Sequence, residues 1–327
     1  MILYIIQSYK NIDGKKKIIE IPSDISMYAN QFSFFSRSLS RDLKDKVDTV
    51  LMGIPFDLGT TGRPGARYGP KSIRMASSNH CWEDIRWPWD FNTFDYINVI
   101  DYGDIDYIPG KPESVVEAIQ KNADKILSAD KTLISIGGDH FVTLPLLRSH
   151  HKKYGKMALV HFDAHTDCVP NTQVINHASM FYHASNEGLI EPKHSIQIGI
   201  RTDYDRKSHE FQVIDTTAAN DLSVSEIIQL IQDRVDNLPV YLTFDIDCLD
   251  PAYAPGTGTP VVGGMTTEKV LKIIRGLKNI QTIGFDLVEV SPQYDHAEIT
   301  SLAGATIILE FLYIVGYQKS ANKVENP

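Results

Sequence analysis

The chain has 327 residues, with 32 Lys plus Arg against 41 Asp plus Glu and a formal charge of −9. No basic stripe is available to neutralise phosphates, which excludes the nucleic-acid binders, and a mild acidic excess draws cationic small molecules toward a cleft. An apolar fraction of 43% builds a large core and excludes disorder over most of the chain, whose length suits about two average domains or one large α/β domain.

Cys81, Cys168 and Cys248 are far apart and odd in number. They make neither a disulfide framework nor a C-x-x-C metal site, so a reducing compartment, the cytoplasm, is expected. The short apolar run at 2–6 has no basic residue ahead of it and no small-residue cleavage site, unlike a signal peptide. No apolar run is expected to approach the roughly 20 residues of a membrane span, and no membrane partner is expected.

Residues 1–46, with Lys15, Lys16, Lys17 and the Ser-rich stretch 33–40, read as an N-terminal arm or irregular lead-in. A single domain is expected over 47–327, because no repeat, low-complexity tract or linker interrupts it. Short, β-branched runs predict strands at 49–53, 97–101, 132–136, 157–162, 195–200, 211–214, 240–244 and 282–285. They are apolar on both faces, as buried parallel strands are. Between them lie helical patterns. Pro112 suits a first helical turn, and Val115, Ile119 and Ile126 follow one face. Ser223 with Glu226 is a capping-box signature ahead of Ile227, Leu230 and Ile231. Thr267 opens a helix with Val270, Leu271, Ile274 and Leu277 on one side. This alternation implies a parallel sheet with helices on both faces.

The chemistry gathers at three strand ends. In Asp163-Ala164-His165-Thr166-Asp167 the residues i, i+2 and i+4 face one side of extended chain. Asp245-Ile246-Asp247 ends the 240–244 strand, and Gly137-Gly138-Asp139-His140 follows the 132–136 strand. Ends of parallel strands are where open α/β sheets bind ligands. Burying Asp163, Asp167, Asp245 and Asp247 together is costly unless cations neutralise them, and two divalent ions would. His140 and His165 would supply one neutral nitrogen to each. Carboxylate-rich ligands with one imidazole per ion and no thiolate favour a hard or borderline ion such as Mn²⁺ over structural zinc. Two ions about 3.5–4 Å apart bridge a water and lower its pKa, which gives hydroxide at neutral pH. The inference is a dimetal hydrolase. His161 shares the parity of Asp163 but lies deeper, as a core histidine supporting the ligands would.

With these three motifs, and with Ala254-Pro255-Gly256-Thr257-Gly258 and Gly62-Arg63-Pro64-Gly65-Ala66-Arg67-Tyr68-Gly69-Pro70, the sequence resembles the ureohydrolases, the family of arginases and agmatinases. The likeness runs from about Val47 to Tyr317 and is strongest toward bacterial agmatinases. The resemblance implies an α/β three-layer sandwich around a mostly parallel eight-stranded sheet. It implies two Mn²⁺ per subunit: His140 and Asp167 on one ion, His165 and Asp247 on the other, with Asp163 and Asp245 bridging. It implies attack of a metal-bridging hydroxide on a guanidinium carbon, giving urea and an amine. It also implies a homo-oligomer, trimer or hexamer.

Two more residues match family roles. Glu289 would hold the substrate guanidinium in a charge-assisted pair, and His177 corresponds to a loop histidine that shuttles protons. The agmatinase pattern there reads Asp-His-Gly, whereas this chain has Asn176 and Ala178. That loses a negative partner for His177 and restricts the loop. The 169–175 stretch, which includes the candidate substrate contact Asn171, has no Ser-Gly-Asn signature and no basic residue to pair a carboxylate. A small cationic guanidino substrate, agmatine, is therefore expected, with putrescine as the second product and a place in polyamine synthesis. Alternatives are a guanidinobutyrase or arginase, then a dimetal phosphoesterase or a non-catalytic binding protein. Arg63 and Arg67 are expected to shape their loop through salt bridges.

Overall fold

The computed structural model describes residues 5–10, 16–21, 33–44, 46–83, 85–170 and 175–325. Two strands, β1 (Ile5–Lys10) and β2 (Lys16–Ile21), pair antiparallel on their own. The main sheet is built from β3 (Ser38–Leu39), β4 (Thr49–Gly53), β5 (Val99–Asp104), β6 (Thr132–Ile136), β7 (Ala158–Phe162), β8 (Ile196–Ile200), β9 (Gln212–Asp215), β10 (Val240–Asp245) and β11 (Thr282–Val288). Their order in space is β3-β5-β4-β6-β11-β10-β7-β8-β9, and every adjacent pair is parallel.

The sheet thus has nine strands among the described residues and is wholly parallel, where eight mostly parallel strands were expected. The additional strand, β3, is two exposed residues long, too short to carry a periodicity. It comes from the stretch expected to be an irregular lead-in. Part of that stretch is anchored to the domain: Phe34 and Phe35 are buried, the Phe34 N–H donates to Asp101 Oδ2 at 2.8 Å, and Arg41 donates to the Tyr102 and Asp104 carbonyls.

The helices are α1 (Gly69–Ala76), α2 (Ser114–Ser128), α3 (Thr143–Tyr154), α4 (Met180–Asn186), α5 (Thr216–Asp221), α6 (Val224–Val235), α7 (Thr267–Gly276) and α8 (Ile299–Glu325). The Ser223–Glu226 capping box forms in both directions at α6. α7 is capped by Thr266, one residue before the expected start, and α2 begins two residues beyond Pro112. Residues on the two faces of the central strands feed two apolar clusters. Leu51, Ile134, Val160 and Phe285 pack with α1, α6, α7 and α8 on one face, while Val50, Leu133, Leu159 and Ile283 pack with α2, α3 and α4 on the other. Alternation is hidden in such strands because both faces are covered.

α8 corrects a further expectation. Its Ile299–Ala321 stretch is long and apolar enough to cross a membrane, yet 89% of the qualifying window is buried inside the domain. It is a core helix whose hydrophobicity is satisfied by the sheet it covers. The central strands β6, β11, β10 and β7 are neighbours, so the loops leaving their C-terminal ends meet over one edge.

Candidate metal centre

β6 ends at Gly137-Gly138. A Cβ on Gly138 would run into the Phe56 carbonyl oxygen, and one on Gly137 would stand 2.6 Å from Val288 Cγ1. The two glycines are therefore required for close packing against the 54–56 segment and β11, and they let the chain bring Asp139 and His140 over the sheet edge. His140 then begins a single 3₁₀ turn, His140–Val142. Beyond β7 come Asp163, His165 and Asp167, the last with φ +51°. At the end of β10, Asp245 Oδ1 accepts the Asp247 N–H at 2.8 Å, which fixes the second aspartate relative to the first. Glu289 follows β11 with φ +66°. Left-handed backbone at two carboxylate-bearing residues is strain that loops tolerate where side chains must be aimed.

The six expected ligands converge. His140 Nδ1 lies 3.0 Å from Asp167 Oδ2, 3.1 Å from Asp163 Oδ2 and 3.3 Å from Asp245 Oδ2. His165 Nδ1 lies 3.2 Å from both Asp163 Oδ1 and Asp247 Oδ2. Asp163 thus turns one oxygen toward each imidazole. All four aspartates and His140 are buried. Two overlapping groups with the spacing to hold an ion result among the described residues, one of His140, His161, Asp163 and Asp167 and one of Asp163, His165 and Asp247.

The hydrogen bonds decide which imidazole nitrogen is free to ligate. Thr243 Oγ1 donates to Asp286 Oδ1 at 2.5 Å, so it must accept from His140 Nε2, 2.8 Å away. Asp286 is held in turn by Thr143 and Tyr241. The His140 proton therefore sits on Nε2. Nδ1, buried and without a hydrogen-bond partner, points its lone pair at three carboxylates. A positive charge between that nitrogen and the carboxylates makes the arrangement favourable: against the opposing effect of burial, the aspartates raise His140 well above its usual value, and a bound metal cation would take the same place. His161 is the opposite case. The Gln197 amide nitrogen donates to its Nδ1 at 2.9 Å, so Nε2 carries the proton and gives it to Asp163 Oδ2 at 2.7 Å. His161 supports a ligand and has no lone pair to offer; burial lowers its pKa to about 4.

Burial raises Asp167, Asp245 and Asp247, whereas Asp163, although buried, is held well below the usual carboxylate range by His161, His140 and His165. Burial, then the charge of Asp163, pushes Asp167 up to about 7. Burial followed by the charges of Asp247 and Asp163 raises Asp245 well above the usual range. Opposing cations would remove this penalty.

Beside the cluster, Glu289 is buried, and its Oε1 accepts the His140 N–H at 2.9 Å and faces His177 Nδ1 at 2.9 Å. His177 is buried too, rather than solvated. The departures around it are absorbed locally: Asn176 Oδ1 accepts the Ala178 N–H at 3.0 Å, a turn that needs only the acceptor oxygen Asn and Asp share. Ala178 adopts no positive φ, so the glycine is dispensable. Asn171 lies outside the described residues. Arg67 forms the expected ion pair, with Asp57. Arg63 does not; it donates to the Thr257 and Gly258 carbonyls and stacks on Tyr294.

Sequence reasoning misses the groups that aim the ligands. Asp286 does leave a signal, a carboxylate in the middle of an otherwise apolar strand. Gln197, in β8, and Thr243, in β10, leave the same kind of weaker trace. Thr61, which touches His177, leaves none.

A parallel α/β sandwich whose central strand ends gather aspartates and histidines for two ions is the architecture of a metal-dependent hydrolase. Residues 47–313 match the arginase family, and the chain belongs to it. An agmatinase from Photorhabdus laumondii is 51% identical over 297 residues, covering 90% of this chain and 96% of that protein. Among solved structures, a hypothetical agmatinase from Burkholderia thailandensis superposes with TM-score 0.88 at 44% identity, covering 90% of this chain and 94% of that one. The proclavaminate amidino hydrolase of Streptomyces clavuligerus follows with TM-score 0.85 and 36% identity, covering 90% and 99%. The chain is an amidino hydrolase, an enzyme that cleaves an amidine C–N bond.

Proposed function

We propose that the chain is an agmatinase that hydrolyses agmatine to urea and putrescine with two Mn²⁺ per subunit. The observation that carries the reading is the 51% identity to a protein named agmatinase over nearly the whole of both chains. The site supports it. Arg63 and Arg67, the arginines that could pair a substrate carboxylate, are committed to Thr257, Gly258 and Asp57. A decarboxylated guanidine therefore suits the site better than arginine or 4-guanidinobutyrate.

In this reading two Mn²⁺ would be held by His140, Asp163, His165, Asp167, Asp245 and Asp247, with His140 and Asp167 serving one ion and His165 and Asp247 the other. The donor set, four carboxylates and two imidazoles without a thiolate, favours Mn²⁺. Two bound ions lower the pKa of water and so supply a nucleophile at neutral pH.

The rest falls to the chain. Glu289 Oε1 is already engaged by the His140 N–H and His177. Oε2 has no hydrogen-bond partner among the described residues and is free to accept from the planar N–H groups of a guanidinium. Burial keeps that pair out of water and strengthens it. Cleaving the C–N bond requires a proton on the departing amine, and His177, beside Glu289, holds one at Nδ1. The same reading carries a cytoplasmic enzyme, consistent with three free cysteines. It also carries a catalytic domain over 47–327, against which Phe34, Phe35 and Arg41 of the lead-in pack, and a trimeric or hexameric assembly.

The test is urea release by Mn²⁺-loaded protein on agmatine, arginine and 4-guanidinobutyrate in parallel. The expected result is urea from agmatine, with the other two slower by at least about a hundredfold in kcat/KM. Comparable turnover of either carboxylate-bearing substrate would overturn the substrate assignment, and no urea from any would overturn the activity.

A further inference from the structure

His177 is enclosed on both sides. Nδ1 faces Glu289 Oε1 at 2.9 Å, while Nε2 faces the Thr61 backbone N–H at 2.8 Å and Thr61 Oγ1 at 2.7 Å. A backbone N–H only donates, so Nε2 is an acceptor and the ring proton sits on Nδ1, toward Glu289. The imidazole is 7% exposed, whereas Thr61 is exposed.

The loop carrying Thr61 is fastened to the same site. The Gly59 N–H donates to Asp139 Oδ2 at 2.6 Å, and the Gly59 carbonyl accepts the His177 N–H at 3.1 Å. A Cβ on Gly59 would stand 2.8 Å from Phe141 Cβ, so the backbone lies flat there. Asp57 takes the Gly65 and Arg67 N–H groups at the loop's far end. Thr61 is thus held over Nε2 by anchors before and after it.

We propose that Thr61 is a positioning residue for the His177 proton path. Its amide fixes the tautomer that presents Nδ1–H to Glu289, and the hydroxyl of this exposed residue is the link by which a proton from water reaches Nε2. This rests on the amidino-hydrolase reading above. In the transfer, Oγ1 accepts a proton from water as its own hydroxyl proton passes to Nε2. The imidazolium then gives its Nδ1 proton to the departing amine nitrogen as the C–N bond breaks, leaving the neutral ring protonated at Nε2. That proton returns through Oγ1 to the hydroxide left by the donating water as Nδ1 takes up the proton shed by the next attacking water, which restores the starting tautomer.

The charged groups around the ring are Glu289 after β11, Asp139 after β6 and Asp167 after β7. Burial opposes the imidazolium, but the hydrogen bond and charge of Glu289, then Asp167 and Asp139, outweigh it and carry His177 to about 9. The Thr61 amide pulls the other way, because protonated Nε2 would face an N–H. The hydroxyl relieves that conflict, since it can accept the Nε2 proton.

Thr61→Val keeps the β-branch and the amide and removes the hydroxyl, and Thr61→Ser restores it. With Mn²⁺-loaded protein and agmatine, Thr61→Val should lower kcat about tenfold, with KM and bound metal within about twofold. The alkaline limb of kcat should move down by about one pH unit, because the imidazolium loses an acceptor. Thr61→Ser should recover both. Thr61→Ala, also without the hydroxyl, should match Thr61→Val and separates chemistry from shape. An unchanged kcat and alkaline limb in Thr61→Val would overturn the inference, as would an equal loss in Thr61→Ser or a loss confined to KM or metal content. Urea release by the unsubstituted enzyme is the control: its failure defeats the underlying reading and this one together, whereas an active enzyme indifferent to Thr61→Val defeats this one alone.

Discussion

The ligand cluster and the His177 rim adjoin one another but are assembled differently. Cluster residues come in short pairs and triplets from strand ends, Asp163-His165-Asp167 after β7 and Asp245-Asp247 after β10, on a sheet whose neighbours are bonded along their length. The rim joins segments far apart in the chain: Thr61 meets His177 across 116 positions and His177 meets Glu289 across 112. The cluster inherits its geometry from the sheet, while the rim depends on individual hydrogen bonds between loops. Substitutions in the cluster should therefore remove metal and activity together, and substitutions at the rim should leave metal in place and alter kinetics.

The largest effect is expected at Asp245. Asp245→Ala removes a buried carboxylate 3.3 Å from His140 Nδ1 and the acceptor that fixes the Asp247 N–H, and both turnover and bound metal should be lost, read by urea assay and by elemental analysis of the dialysed protein. Retention of two ions with full activity would end the assignment. At the rim, Glu289→Gln should keep the metal but reduce kcat/KM for agmatine by at least about a hundredfold, because a charge-assisted pair becomes a neutral one. Kinetics near those of the unsubstituted enzyme would take Glu289 out of the site.

The buried relay Asp286–Thr243–His140 sharpens the boundary between the two regions. Asp286→Asn places an amide N–H where Tyr241 and Thr143 already donate, and loosens the proton that keeps Nδ1 of His140 free. Metal affinity should fall about 10- to 100-fold with KM for agmatine nearly unchanged; unaltered affinity would show that the relay does not set the ligand. The smallest effect is one of pH. Asp167 sits near 7 and Asp245 is raised by burial and by neighbouring carboxylates, so ion binding must displace protons. Between pH 8 and pH 6 the apparent Mn²⁺ affinity should drop by about tenfold or more, and calorimetry in buffers of different ionisation enthalpy should register proton release. Affinity independent of pH would contradict the arrangement of these charges.

The same contrast separates what is legible in the sequence from what is not. β4 and β6 have the expected bounds, and all eight expected strands are present, because buried parallel strands leave continuous apolar runs. The D-x-H-x-D and D-x-D patterns are legible because their geometry is local, set by the alternation of extended chain. β3 is not, since two residues carry no pattern. β1 and β2 escape notice although Asp13-Gly14, a dipeptide favoured in hairpin connections, stands between them in the sequence. α8 is hidden because Glu310 breaks its apolar run; in the fold that carboxylate is buried and paired with Arg275 and Trp89. Thr61 stays invisible because its role exists only once loops remote in sequence have met.

The most direct test of the central claim is a titration of metal-stripped protein with Mn²⁺, following bound metal and urea release from agmatine together. Activity should be absent without metal, rise to its maximum as two ions bind per chain, and vanish again on chelation. Urea release by the stripped protein, or full activity that never requires the ion, would contradict a hydrolase built on this cluster.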